Sequence, residues 1–126
     1  MRVLVVDDSK IDRLVINHAI HTRLQNIAEY RECSSPREAK AICEAGEKFD
    51  VAVIDVCFGL EDSDGYDLCD YLKKTQSSTF VIILTGTFDC INVSRSRSVG
   101  ADALCIKERA LEGFKEQLGL YAHAVA

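Results

Sequence analysis

The 126-residue sequence has no tryptophan, one proline, and no excess of positive charge. Without tryptophan, indole fluorescence cannot report on its state. The single proline, Pro36, stands at the head of a predicted helix, where its missing N–H costs nothing. Fifteen Lys and Arg against twenty Asp and Glu give a net charge of −5, which argues against nucleic acid as a direct partner. No apolar stretch approaches membrane-spanning length, and the N-terminus "MRVLVVDDSK" turns acidic too soon for a signal peptide. Six cysteines are present, but none forms a C-x-x-C pair. They are expected to be small buried hydrophobes in a reducing cytoplasm, with neither zinc nor disulfides.

What remains suits one soluble domain over residues 1–126, with 48% hydrophobic and 28% charged residues. Short, β-branched apolar runs recur at Val3–Val6, Val51–Ile54, Phe80–Leu84 and Ala103–Ile106, as expected for strands covered on both faces. The weaker run "NIAEYREC" at 26–33 predicts a strand nearer an edge. Helical patterns alternate with them. Ser9 opens one with capping-box spacing to Asp12, followed by Ile11, Leu14, Val15 and Ala19. "SPRE" at 35–38 starts a second, with Ser35 as cap and Glu38 reaching back, and it is expected to stop near Gly46. "GYDLCDYLKK" predicts a third with Leu68, Tyr71 and Leu72 as its apolar stripe. Residues 88–99 make a poorer, serine-rich helix, and Leu111, Phe114, Leu118 and Tyr121 mark a last one. Fivefold β-α alternation without a linker implies an α/β fold, a doubly wound five-stranded parallel sheet. Its binding crevice would lie at the carboxyl ends of the strands, where strand order reverses.

The strand ends carry unusual chemistry. The first ends in Asp7-Asp8, the third in Asp55, the fourth in Thr85 and the fifth in Lys107. Taken singly, each has an ordinary reading as helix cap, strand-end hydroxyl or solvated cation. Together they put three carboxylates, a hydroxyl and an ammonium on one edge of one sheet. Clustered carboxylates repel, so either one takes a proton or a cation binds among them. Hard oxygen ligands with room for water suit Mg²⁺, and a carboxylate beside such an ion can attack phosphorus to give an acyl phosphate. Thr85 and Lys107 would then hydrogen-bond and neutralise phosphoryl oxygens.

With these residues in place the chain resembles the receiver (CheY-like) domain of bacterial two-component response regulators. The resemblance rests on "VLVVDD" at 3–8, "VIDV" at 53–56, "ILTGT" at 83–87 and "GADALCIK" at 100–107. Thr85 follows Asp55 by thirty residues, and Lys107 follows Thr85 by twenty-two. It implies a flavodoxin-like (βα)5 fold with strand order 2-1-3-4-5. It implies Asp55 as phosphoacceptor, Asp8 as direct Mg²⁺ ligand, Asp7 as a ligand through water, and the backbone carbonyl of Cys57 completing the metal contacts. The implied donor is a histidine kinase or histidine phosphotransfer protein. The implied output is a cytoplasmic protein–protein switch through the 88–122 face, with a homodimer there as an alternative. Beyond its own Mg²⁺-dependent phosphorylation and dephosphorylation, no enzymatic activity is implied.

Several positions depart from that pattern. "CFGLEDSDGYD" lacks the family's proline and reaches Gly65 two residues late, with Glu61, Asp62 and Asp64 making the loop acidic. As a calcium loop it fails on spacing, because aligning Gly65 with the invariant glycine puts Leu60 first and Tyr71 last. Leu104 stands where the family carries a switch aromatic, and Glu108 replaces the proline after Lys107, so a cis Lys-Pro bond is excluded. Arg95 and Arg97 lie on the expected docking face, while His18, His21 and His123 lie away from the site. The competing readings are a receiver-fold binding module that works without phosphorylation, and an aspartate-nucleophile phosphatase. The second acid that such phosphatases place two residues on is Cys57 here. Because no output domain follows residue 126, a stand-alone receiver and a domain cut from a longer regulator are both expected possibilities.

Overall fold

The computed structural model describes residues 1–56, 64–85 and 93–106. Among the described residues, five parallel strands alternate with four helices in the order β1 (Arg2–Val6), α1 (Lys10–Arg23), β2 (Glu29–Cys33), α2 (Pro36–Glu44), β3 (Val51–Asp55), α3 (Asp64–Thr75), β4 (Phe80–Thr85), α4 (Val93–Ser98) and β5 (Ala103–Ile106). The sheet order is β2-β1-β3-β4-β5, the doubly wound arrangement expected from the sequence. The predicted helix through Leu111, Phe114, Leu118 and Tyr121 lies outside the described residues.

The period-2 geometry of the strands sorts the core into two layers. Leu4, Val6, Ala52, Ile54, Val81 and Ile83 point to one face, where Ala39 and Cys43 of α2 and Leu68, Cys69 and Leu72 of α3 cover them. Val3, Val5, Val51, Val53, Ile82 and Leu84 point to the other, against Ile16, Ala19 and Ile20 of α1. Every residue of β3 is buried, as a central strand covered on both faces requires. The edge strand β2 is shorter than the 26–33 run suggested: Asn26 takes a positive φ of 61°, and pairing begins at Glu29. Asn tolerates that left-handed conformation better than most residues do.

Helix starts follow their caps. The Ser9 hydroxyl accepts from the Asp12 N–H at 3.2 Å, and the Ser35 hydroxyl from the Glu38 N–H at 3.1 Å. Glu38 does reach back, but to Ser34, whose N–H and hydroxyl it accepts at 3.0 and 3.1 Å. Helix α2 ends at Glu44, and Gly46 follows with φ 104°, a left-handed turn in which glycine pays no Cβ penalty.

One helix faces differently from its apolar pattern. Ile11, Leu14 and Val15 of α1 are exposed at 73%, 60% and 44%, whereas Ile16, Ala19 and Ile20 are buried. The helix therefore has an inner stripe on the sheet and a second apolar face on the surface.

Burial also settles how four of the thiols behave. Cys33, Cys43, Cys69 and Cys105 are free and buried. Loss of hydration pushes Cys33 and Cys105 up to about 11 and Cys69 up to about 12. At neutral pH they stay protonated and act as apolar packing.

The facing of α1 is testable. Ile20→Ala, which empties a buried position, is expected to cost about 2–5 kcal/mol in urea unfolding, while Leu14→Ala changes stability by less than about 0.5 kcal/mol. Equal losses would show that α1 is rotated relative to this description.

Candidate functional site

Strand order reverses between β1 and β3, so their carboxyl ends open the crevice of this sheet. The register runs from Val3 opposite Val51 to Val6 opposite Ile54, which sets Asp7 level with Asp55 one residue further along. Asp7 and Asp55 are 0% and 2% exposed, and Asp8 is exposed beside them. One carboxylate oxygen from each of Asp7, Asp8 and Asp55 lies within 4.8 Å of the other two. Three of the sequence-derived site residues thus converge.

The backbone around Asp7 is held from several directions. Its N–H donates to the Cys33 carbonyl at the end of β2 at 3.1 Å, and its Oδ1 accepts from the Ser9 N–H at 2.9 Å. Its carbonyl accepts from the Arg13 guanidinium, which also pairs with Glu32 at 3.2 Å. Asp55 closes β3 opposite Leu84, and the next N–H, that of Val56, donates to the Leu84 carbonyl at 3.2 Å.

Gly65, at the start of α3, completes this region. A Cβ there would stand 2.7 Å from the Asp55 carbonyl oxygen and 2.9 Å from a Val56 methyl group. The helix packs on the Asp55 backbone at a distance only glycine permits. Gly65 therefore meets Asp55 even though the loop before it is longer than the family pattern.

Thr85 ends β4 beside the Asp55 strand and opposite Ile106 of β5, which places its backbone on the same sheet edge. Lys107 and Cys57, the other expected site residues, lie outside the described residues, as do Glu108 and His123. Leu104 is partly buried and packs against the core layer that α2 and α3 cover. Arg95 turns inward to α3, with its guanidinium 4.6 Å from the Tyr66 ring centre and 3.5 Å from Asp67. Arg97 is exposed. His18 and His21 are exposed on α1; the His21 ring nitrogen lies 2.9 Å from the Asn17 carbonyl oxygen. Sequence reading passed over Arg13, although its spacing from Ser9 marks it as facing back along the first turn of α1.

Chemically, the cluster suits a hard divalent cation. The donors are all carboxylate oxygens, two of the three residues are buried, and Asp8 leaves one side open to water. The same charge would otherwise be mutually repulsive in a poorly hydrated crevice.

Comparison with known proteins agrees with the fold. The response regulator receiver domain family matches residues 3–118. No curated protein matches the sequence. Among solved structures, the response regulator DrrB, an OmpR/PhoB homologue from Thermotoga maritima, is 27% identical with a TM-score of 0.71. The match covers 98% of this chain and 52% of that one, so this chain spans about half the length of DrrB. The chemotaxis protein CheY4 of Vibrio cholerae is 23% identical with a TM-score of 0.72, over 93% of this chain and 94% of that one. The signal receiver domain of a DNA-binding response regulator (merR) from Colwellia psychrerythraea is 22% identical with a TM-score of 0.77, over 98% of each. The last two share the fold.

The close approach at Gly65 leads to a direct expectation. Gly65→Ala should lower unfolding free energy by about 1–3 kcal/mol through overpacking against β3. In an NMR spectrum the amide shifts of Asp55 and Val56 should move with it. A variant with unchanged stability and unchanged shifts would contradict the contact.

Proposed function

The chain belongs to the response regulator receiver domain family, and from that membership we propose that it accepts a phosphoryl group on Asp55 with the aid of Mg²⁺. The donor is the phosphohistidine of a histidine kinase or a histidine phosphotransfer protein, and the setting is a cytoplasmic two-component pathway. The observation that supports this most is the three-carboxylate cluster at the β1/β3 crevice, with Asp55 at the end of the central strand.

In the proposed reaction an Asp55 carboxylate oxygen forms a bond to phosphorus as the phosphorus–nitrogen bond to the donor imidazole breaks. The bonding pair leaves with the imidazole, and the product is an aspartyl acyl phosphate. Asp7 and Asp8 hold the metal with Asp55, and the Cys57 carbonyl is assigned to the same set. Mg²⁺ supplies charge neutralisation for the crowded phosphoryl and carboxylate oxygens. The Thr85 hydroxyl donates to a phosphoryl oxygen and the Lys107 ammonium pairs with another. The phosphorylated and free states then differ in the surface offered to an output partner. Leu104 lacks the ring of an aromatic switch, so that role falls to groups other than residue 104.

The exposed face of α1 gives the donor a place to dock. Helix α1 begins two residues after Asp8, and its Ile11, Leu14 and Val15 are exposed apolar surface in the turns that follow. A protein donor that brings its imidazole to Asp55 must cover this turn of helix.

Incubation with Mg²⁺ and acetyl phosphate should add one phosphoryl group by intact mass, and the gain should vanish in Asp55→Asn and in metal-free samples. Because small donors fail on some receivers, a null result is repeated with phosphohistidine proteins. Absence of transfer from every donor would favour the phosphorylation-independent binding module. Once a protein donor is in hand, Leu14→Lys should slow transfer from it by roughly tenfold, the equivalent of about 1.4 kcal/mol, while leaving the acetyl phosphate rate unchanged. Equal effects on both donors would sink the docking assignment.

A further inference from the structure

We infer that Arg13 is a positioning residue for the cation site, acting through the peptide that joins Asp7 to Asp8. The inference rests on the cation-binding reading of the carboxylate cluster and assigns a role to a residue outside it.

Arg13 lies in the first turns of α1, and its own N–H makes the helical bond to the Ser9 carbonyl at 3.0 Å. Its side chain is 18% exposed, which is low for a cation, and both ends of the guanidinium are used. Nη1 donates to the Asp7 carbonyl, and Nε pairs with Glu32 Oε1 at 3.2 Å. Glu32 belongs to β2, so one guanidinium joins the first helix to the ends of two strands.

The consequence follows from backbone geometry. Beyond Val6 the β1 ladder stops, and the Asp7 carbonyl needs a donor from elsewhere. Arg13 supplies it while the Cys33 carbonyl takes the Asp7 N–H. The peptide unit between Asp7 and Asp8 is planar, so fixing its carbonyl oxygen also fixes the direction in which the Asp8 Cα leaves. Two of the three clustered carboxylates therefore stand on a peptide unit that this guanidinium helps to hold. A lysine can still reach the carbonyl with one N–H, but it cannot hold the carbonyl and Glu32 in the same planar fork.

Charge and position predict opposite signs, which makes the role testable. Arg13 carries positive charge close to a site for a cation. If its effect were only electrostatic, removing that charge would tighten Mg²⁺ binding. If it positions the ligands, removing it loosens the site and weakens binding.

The experiment is calorimetric titration of Mg²⁺ into wild type, Arg13→Lys and Arg13→Gln, with urea unfolding of each in EDTA. Arg13→Met, which keeps the packed aliphatic stem, replaces the glutamine variant if that one does not fold. Arg13→Gln is expected to raise the Mg²⁺ dissociation constant by about tenfold, as loss of groups that orient metal ligands commonly does, with Arg13→Lys in between. Unchanged or tighter binding in Arg13→Gln, with wild type binding normally, overturns the positioning role alone. Failure of wild type to bind Mg²⁺ overturns the cation-site reading, and this inference with it. A purely structural role would lower stability in EDTA while leaving the dissociation constant of the folded protein unchanged, and that result also overturns the proposal.

Discussion

Parallel pairing of β1 and β3 holds the backbones of Asp7 and Asp55 side by side, because each is the next residue after a hydrogen-bonded register that runs to Val6 and Ile54. Two unit charges within 4.8 Å of one another repel by roughly 3 kcal/mol or more at an effective dielectric of about 20. Burial of both residues strips away the water that would soften this further. The mutual repulsion of these carboxylates acts at one edge of the sheet. In the proposed function a cation would offset that repulsion, and a phosphoryl group held by the cation and the Lys107 ammonium would extend the same balance. The proposed chemistry is thus a consequence of where two strands end.

The scaffold around the cluster works to keep it from relaxing. The two apolar layers lock β1 and β3 in register, since a slip of one residue would turn Val3, Val5, Val51 and Val53 to the wrong face. Gly65 lets α3 seat directly on the Asp55 backbone, so the acceptor strand is braced from the side as well as from its neighbours. Arg13 and the Cys33 carbonyl brace Asp7 in the same way. At the opposite end of the sheet, Thr79 donates to the Phe49 carbonyl at 2.7 Å, and Gln76 bridges Phe49 and Glu47. Those bonds tie the starts of β3 and β4 together, and with them the positions at which both strands finish.

Much of this was legible in the sequence because it depends on local pattern. Unbroken β-branched runs identified β1, β3 and β4 as buried strands and β5 as a strand that lies, half-buried, at the sheet edge, and serine caps located the starts of α1 and α2. The convergence of Asp7, Asp8 and Asp55 followed from topology once strand ends were known. What was not legible depends on how elements meet. The pattern Ile11, Leu14, Val15 looks like a buried stripe, yet those residues face outward, because periodicity reports that a face is apolar and not what it touches. Arg95 on a serine-rich helix reads as a solvated docking residue, whereas contact with Tyr66 brings it onto α3. Gly65 appeared displaced by a long loop, but its contact with Asp55 is set by helix packing and not by residue count. Arg13 carried a signal only in its spacing from Ser9, since its partners come from β1 and β2.

In the proposed function the clustered carboxylates of Asp7, Asp8 and Asp55 share one cation. Urea unfolding of wild type and Asp55→Asn, each in EDTA and in saturating Mg²⁺, tests it most directly. The account predicts that wild type gains stability with Mg²⁺ as ligand linkage requires. It also predicts that Asp55→Asn is at least as stable as wild type in EDTA and gains much less from the metal. A variant that is less stable in EDTA yet responds to Mg²⁺ as strongly as wild type would contradict the account. The cluster would then be a part of the fold that needs no metal.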